Sequence, residues 1–331
     1  MRASTIRTGF RFIAATAAAM LTFSVSSAAS LSEPPEQTHL PGRHVSVNGA
    51  RLWVEFEGTG APLILIPGGP GSAHLNFHRW FSPLASSNQI VYFDPYGRGR
   101  SDRGTGPAGY RFARDVEDLE GLRRALGMAR ISLYGFSYGG LVAQAYAMRY
   151  PRRVDRLILA NTFFSAEAWQ AKNDRLAAAT RDHYPEVHDR LVALRAFGLP
   201  STDPQVREAN TVPAGLMWFY NPENAALLRS EPGSFNLDVY RGIAGDDADA
   251  RLGGDAASID FAAGLQRIRM PVLLIGGRFD GIFPPVWLER FRRLIPHARV
   301  ALFEKSGHYP QIEENERWAA VVGDFLAGDW P

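Results

Sequence analysis

A junction constrains this chain more than any other feature. The apolar run Ile131 to Tyr134 gives way, through Gly135-Phe-Ser-Tyr-Gly139, to a small-residue helical pattern from Gly140 to Met148. A strand that turns sharply into a helix forces the residue at the turn into a strained backbone conformation, and only small flanking residues let the two elements pack so closely. The pentapeptide therefore reads as a nucleophile elbow, with glycine needed at 135 and 139. Such a turn lifts the Ser137 hydroxyl clear of a sheet and points the first N–H groups of the next helix, its positive dipole end, at any oxyanion formed there. Acyl transfer is the chemistry this geometry suits.

Five residues carry little information alone, but an elbow also predicts a chain order: an acid after a later strand, then a histidine after the last one. Pro271-Val-Leu-Leu-Ile-Gly-Gly-Arg-Phe-Asp280 supplies a buried-type strand, a glycine loop and a carboxylate. Val300-Ala-Leu-Phe-Glu-Lys-Ser-Gly-His308 repeats the pattern and ends in an imidazole. Loops at strand carboxyl ends build sites in such sheets. Serine is a weak nucleophile, so His308 is expected to take its proton during attack and return it to the leaving group, with Asp280 holding the ring's tautomer.

The tetrahedral oxyanion needs backbone donors, and one is expected at the Tyr138 N–H, beside the nucleophile. The second is expected in Pro62-Leu-Ile-Leu-Ile-Pro67-Gly-Gly-Pro-Gly71, a strand entering a glycine-rich turn, at the Gly69 N–H or, failing that, Gly68. The spacing of these glycines fits neither a dinucleotide fingerprint nor a phosphate-binding P-loop, so no cofactor is expected. Nor is metal catalysis: H-E-x-x-H is absent, and His183 and His188 are not at a helical ligand spacing.

Around these motifs, Val45, Val47, Leu52, Val54 and Phe56 alternate about Asn48-Gly49, a hairpin signal. Strands are expected at 62–66, 90–93, 130–135, 155–160, 271–275 and 299–303. Helices are expected near 111–126, 285–294 and 315–326, the first of them ending at Gly127. This alternation implies an α/β chain with a mostly parallel sheet covered by helices on both faces. Between about 163 and 263 the strand signal stops, and the composition turns helical, polar and aromatic. The expected division is thus a core at 30–162 and 264–331, with a mainly helical cap inserted at 163–263.

Pro67-Gly-Gly-Pro-Gly71, Asp94-Pro-Tyr-Gly-Arg-Gly-Arg-Ser101, Gly135-Phe-Ser-Tyr-Gly-Gly140, Gly277-Arg-Phe-Asp280 and Ser306-Gly-His308 together resemble the proline iminopeptidase-like branch of the α/β-hydrolase superfamily. The likeness spans most of the chain. Two motifs depart from the branch's pattern: Pro67 stands where the turn usually begins with histidine, and Pro95-Tyr96 where Gln-Arg is usual. The resemblance implies removal of an N-terminal residue, preferably proline, from short peptides or amino-acid amides. It also implies that cap carboxylates bind the substrate's ammonium group, and Glu223 falls where one would sit. Phe136 and Trp218 are candidates for substrate contact. Phe163, Phe164, Trp169, Phe219 and Tyr220 either line an apolar pocket with Trp218 or pack the cap onto the sheet.

The runner-up keeps the three side chains and changes the acyl group, giving an esterase, lactonase or carbon–carbon-bond hydrolase. A hydrolase-like binding protein without turnover is the third reading. The first 29 residues read as an export leader: Arg2, Arg7 and Arg11, an apolar run from Phe12 to Val25, then Ser26-Ser-Ala-Ala29. That run is short for a bilayer span, so no stable membrane insertion is expected after cleavage, and the location expected is periplasmic or secreted. Without the leader's three arginines the balance is 33 basic against 34 acidic residues, with no basic stripe for nucleic acid. The expected partner is a small molecule or short peptide; the sequence leaves the oligomeric state open.

Overall fold

The computed structural model describes residues 39–215 and 217–329. The export leader expected at 1–29 lies outside them. Eight strands form one sheet: β1 (Gly42–Val47), β2 (Ala50–Glu57), β3 (Ala61–Ile66), β4 (Asn88–Phe93), β5 (Ile131–Phe136), β6 (Val154–Ala160), β7 (Val272–Gly277) and β8 (Arg299–Phe303). Their spatial order is β1-β2-β4-β3-β5-β6-β7-β8. β1 and β2 form the antiparallel hairpin expected about Asn48-Gly49, and β2 also runs antiparallel to β4. Both turn residues have positive φ, 47° and 80°, the conformation a two-residue turn of this hand requires. All other pairings are parallel.

The continuous apolar strands follow from burial on both faces. In β3, Ile64 and Ile66 face one layer, with Val116, Leu119 and Leu122 of α1 (Phe112–Ala125) and Leu141 of α2 (Tyr138–Arg149). Leu63 and Leu65 alternate to the other layer, with Phe77, Phe81 and Trp318. The same alternation splits Val272 and Leu274 of β7 from Leu273 and Ile275.

Between β6 and β7 the chain is mainly helical, with α3 (Ala166–His183), α4 (Pro185–Ala196), α5 (Pro204–Gly215), α6 (Leu237–Ala244) and the short α7 (Ala262–Leu265). Its two ends meet in a small antiparallel neck: Ala166 N donates to Ile259 O at 2.7 Å, and Phe261 N to Phe164 O at 3.0 Å. After β7 come α8 (Val286–Leu294), α9 (Pro310–Glu313) and α10 (Asn315–Ala327). No helix among the described residues is long and apolar enough to cross a membrane.

Register decides where the chemistry gathers. Ile66 pairs with Gly135, Gly135 with Leu159, Ala160 with Ile275, and Gly277 with Phe303. The carboxyl ends of β3, β5, β6, β7 and β8 therefore lie at one edge of the sheet, where ligand sites of open parallel sheets form.

Candidate active site

Ser137 joins β5 to α2 with φ 53° and ψ −120°, a conformation that side-chain-bearing residues rarely adopt. Its carbonyl is held by the Thr162 hydroxyl at 2.6 Å, and its N–H donates to Ala160 O at 3.0 Å. A Cβ at Gly139 would lie 2.1 Å from Ile66 O and 2.6 Å from Pro67 O, so α2 can start against β3 only with glycine there.

Asp280, in the loop after β7, is buried, and its carboxylate is saturated with donors. Oδ1 accepts from Ile282 N at 2.8 Å and Phe283 N at 2.9 Å. Oδ2 accepts from Asn161 Nδ2 at 3.0 Å and lies 3.0 Å from His308 Nδ1. The loops carrying these two side chains touch through Gly277, where a Cβ would meet Gly307 O at 2.0 Å. His308 is 4% exposed, and its own N–H donates to Trp218 O in the helical insert at 2.6 Å. Phe136, Tyr309 and Phe283 surround the ring at centroid distances of 5.0, 5.5 and 6.0 Å.

Ser137 and His308 line one cavity of about 470 Å³, together with Gly68, Gly69 and Tyr138. No described hydrogen bond joins the Ser137 hydroxyl to the ring; in unliganded sites such contacts often tighten only when substrate binds. Gly68 sits directly over the serine, its Cβ position 3.1 Å from Ser137 Cβ, and Gly69 has φ 118°. The imidazole, the strained serine and the glycine turn thus line one cavity, with Asp280 behind the ring.

What holds the glycine turn is a buried ion pair. Arg98, fully buried, donates through Nε to Pro70 O at 2.8 Å and binds Asp115 with two contacts of 2.7 Å. Asp115 also accepts from the Tyr138 hydroxyl at 2.7 Å, so one network ties the turn to the first residue of α2. Arg98→Met leaves that carboxylate buried without its cation and is expected to cost about 3–5 kcal/mol. Urea unfolding measures this; an unchanged midpoint would show that the network carries no strain-bearing load.

The insert contributes residues that the sequence reading did not single out. Lys172 and Asp249 line the cavity with Nζ and Oδ1 3.8 Å apart, and Tyr240 donates to Asp249 at 3.0 Å. Burial pulls the Lys172 pKa down, with Asp249 opposing. Of the aromatics, Phe163, Trp169, Trp218 and Phe136 line the cavity. The others do not line it. Phe164 packs on Trp287 and Phe291, Phe219 stacks on Tyr309 at 5.0 Å, and Tyr220 is 47% exposed. Glu223 is exposed in the first turn of a 3-10 helix, its N–H capped by Asn221, and is not among the cavity-lining residues.

The family model described as "alpha/beta hydrolase fold" matches residues 61–315. This chain is an α/β-hydrolase. The proline iminopeptidase of Heyndrickxia coagulans is 31% identical over 288 residues, which cover 85% of this hydrolase and 97% of the relative. That of Clostridium botulinum (strain Hall) is 29% identical over 278 residues, or 83% and 93%. Among solved structures, a proline iminopeptidase from Mycobacterium smegmatis superposes with a TM-score of 0.70 at 24% identity, covering 87% of the hydrolase and 98% of that chain. The chain is thus a hydrolase of the proline iminopeptidase-like kind, suited to small substrates.

Proposed function

We propose that the enzyme is a serine hydrolase working through an acyl-enzyme, and that it releases an N-terminal residue, preferably proline, from short peptides or amino-acid amides. The observation that carries the mechanism is the contact of His308 Nδ1 with Asp280 Oδ2 behind a cavity that Ser137 lines. With Nδ1–H held by the carboxylate, Nε2 is left as the base. Ser137 Oγ attacks the acyl carbon while Nε2 takes its proton, and the oxyanion is received by backbone N–H groups of Tyr138 and the Gly68-Gly69 turn. His308 then protonates the leaving amine, and water hydrolyses the ester by the reverse proton path.

Substrate choice rests on the relatives' names and on the cavity wall. The rings of Phe136, Phe163, Trp169 and Trp218 offer an apolar seat for a pyrrolidine, and Asp249 is a carboxylate positioned for a free amine. An ammonium leaving water needs such a partner. A second reading, an esterase or lactonase acting on acidic or neutral acyl groups, is favoured by one feature: Lys172 and Arg207 also line the cavity, and Lys172 offsets Asp249.

Prolyl-p-nitroanilide, its N-acetyl derivative and p-nitrophenyl butyrate separate the two. The peptidase reading predicts turnover of the free-amine anilide and a drop of about 100-fold or more in kcat/KM on acetylation, since the Asp249 carboxylate then loses the substrate ammonium it is proposed to receive. Turnover of the ester with neither anilide would select the second reading.

A further inference from the structure

Away from the serine, the described part of the chain gathers three imidazoles and a carboxylate. His39 precedes β1, Glu55 lies in β2, His74 opens the short 3-10 turn that follows the glycine-rich loop, and His78 caps its end. One ligand atom from each falls within 4.8 Å of all the others. Glu55, His74 and His78 are 0, 1 and 6% exposed, so this is an interior cluster rather than a surface accident.

Two of its nitrogens lack a well-formed hydrogen bond. The Nε2 atoms of His74 and His78 are buried and make no hydrogen bond, although they lie 3.5 and 3.0 Å from Glu55 Oε2. Two imidazole nitrogens without a well-formed hydrogen bond thus converge on one carboxylate oxygen. Leaving such groups unsatisfied is costly, and native interiors rarely do so without an unseen ligand. An ion accepting both lone pairs and the carboxylate would satisfy all three at once.

We propose that His39, Glu55, His74 and His78 form a binding site for a divalent transition-metal ion of the zinc class.

The surroundings are those of a metal site. His74 Nδ1 is 2.6 Å from Asp94 Oδ1, which fixes the tautomer that presents Nε2 as a ligand, the carboxylate–histidine–metal arrangement. His39 likewise has one nitrogen toward Glu55, at 2.9 Å, and the other toward Glu231, at 3.0 Å. Glu55 is oriented by Trp53 Nε1 at 2.7 Å and Leu40 N at 2.9 Å, and the Tyr92 ring stacks on His78 at 4.4 Å.

Charge points the same way. The ion-pair partners of buried Glu55 are imidazoles, and that of buried Asp94 is His74, so a dication would balance two carboxylates. Nitrogen and carboxylate donors without thiolate select zinc or a neighbouring first-row ion over calcium or magnesium. Ligands at about 2.0–2.1 Å in a tetrahedron stand about 3.3 Å apart, so the donors need draw in by only about an ångström.

Four protein ligands close the coordination shell, which makes the site structural rather than catalytic. It would clamp β2 and the segment before β1 to the chain leaving the oxyanion turn. The site is independent of the acyl-transfer reading and does not depend on which substrate is cleaved.

The test uses untagged full-length protein, stripped with a chelator and titrated with Zn²⁺ and Co²⁺, with bound metal counted by mass spectrometry. One equivalent is expected, with the intense visible absorption of tetrahedral cobalt. His39→Ala, at the edge of the cluster, should keep the fold by circular dichroism and abolish the cobalt bands, and Glu231→Gln should weaken affinity by about 10–100-fold. His78→Gln, if it folds, should also bind none. Absence of stoichiometric uptake by the wild type, or uptake unchanged in His39→Ala, would overturn the proposal.

Discussion

Replacing Ser137 with alanine is expected to lower kcat on the best substrate by roughly a millionfold, since removing the nucleophile of such a unit costs about as much as removing the whole unit. Labelling by a fluorophosphonate should vanish with it. The fold should survive, because the Ser137 backbone contacts to Thr162 and Ala160 do not involve the hydroxyl. Glycine at the same position makes a sharper comparison. At φ 53° and ψ −120° any Cβ is strained, by about 1–3 kcal/mol, and glycine relieves it. Ser137→Gly should therefore be as inactive as Ser137→Ala yet no less stable, with a higher melting temperature by calorimetry. If the alanine variant retained a tenth of wild-type activity, the acyl-enzyme mechanism would have to be abandoned.

The elbow could be read from sequence because its glycines answer a steric demand that neighbouring strands impose: Gly139 lies against Ile66 and Pro67 carbonyls. Asp280 and His308 were legible for a related reason, since each follows a short apolar strand whose register alone carries the next loop to the same edge. The insert has no sheet to fix its facing. Trp169 and Phe164 sit five residues apart in equally apolar company, yet one lines the cavity and the other packs on α8. Glu223, exposed on its 3-10 turn, had no constraint of that kind to place it. Asn161 and Thr162, which hold Asp280 and the Ser137 carbonyl, belong to no motif, and only the φ of 48° at Asn161 and its contacts mark them. The His74-x-x-x-His78 spacing is visible in the chain, but Glu55 and His39 join it only through the antiparallel β1–β2 hairpin.

Asp280→Asn is the second large effect, and it follows from counting donors. In the wild type every neighbour of the carboxylate donates to it: two backbone N–H groups on Oδ1, and the Asn161 amide with the His308 ring on Oδ2. An asparagine can keep its oxygen on the two backbone donors, but its NH₂ then faces Asn161 and His308. The imidazole must turn Nδ1 into an acceptor, which moves the proton to Nε2, the nitrogen that has to receive the serine proton. A base in the wrong tautomer should cost about 10⁴ in kcat, equivalent to about 5 kcal/mol of transition-state stabilisation. Flipping the new amide instead would leave two buried N–H groups unpaired, so the loss cannot be escaped by rotation. Substrate binding away from the imidazole is untouched, and KM should change little. Steady-state kinetics on prolyl-p-nitroanilide or a reactive ester, with thermal unfolding as the control, reads both. A loss smaller than tenfold in a folded variant would mean that Asp280 does not set the His308 tautomer.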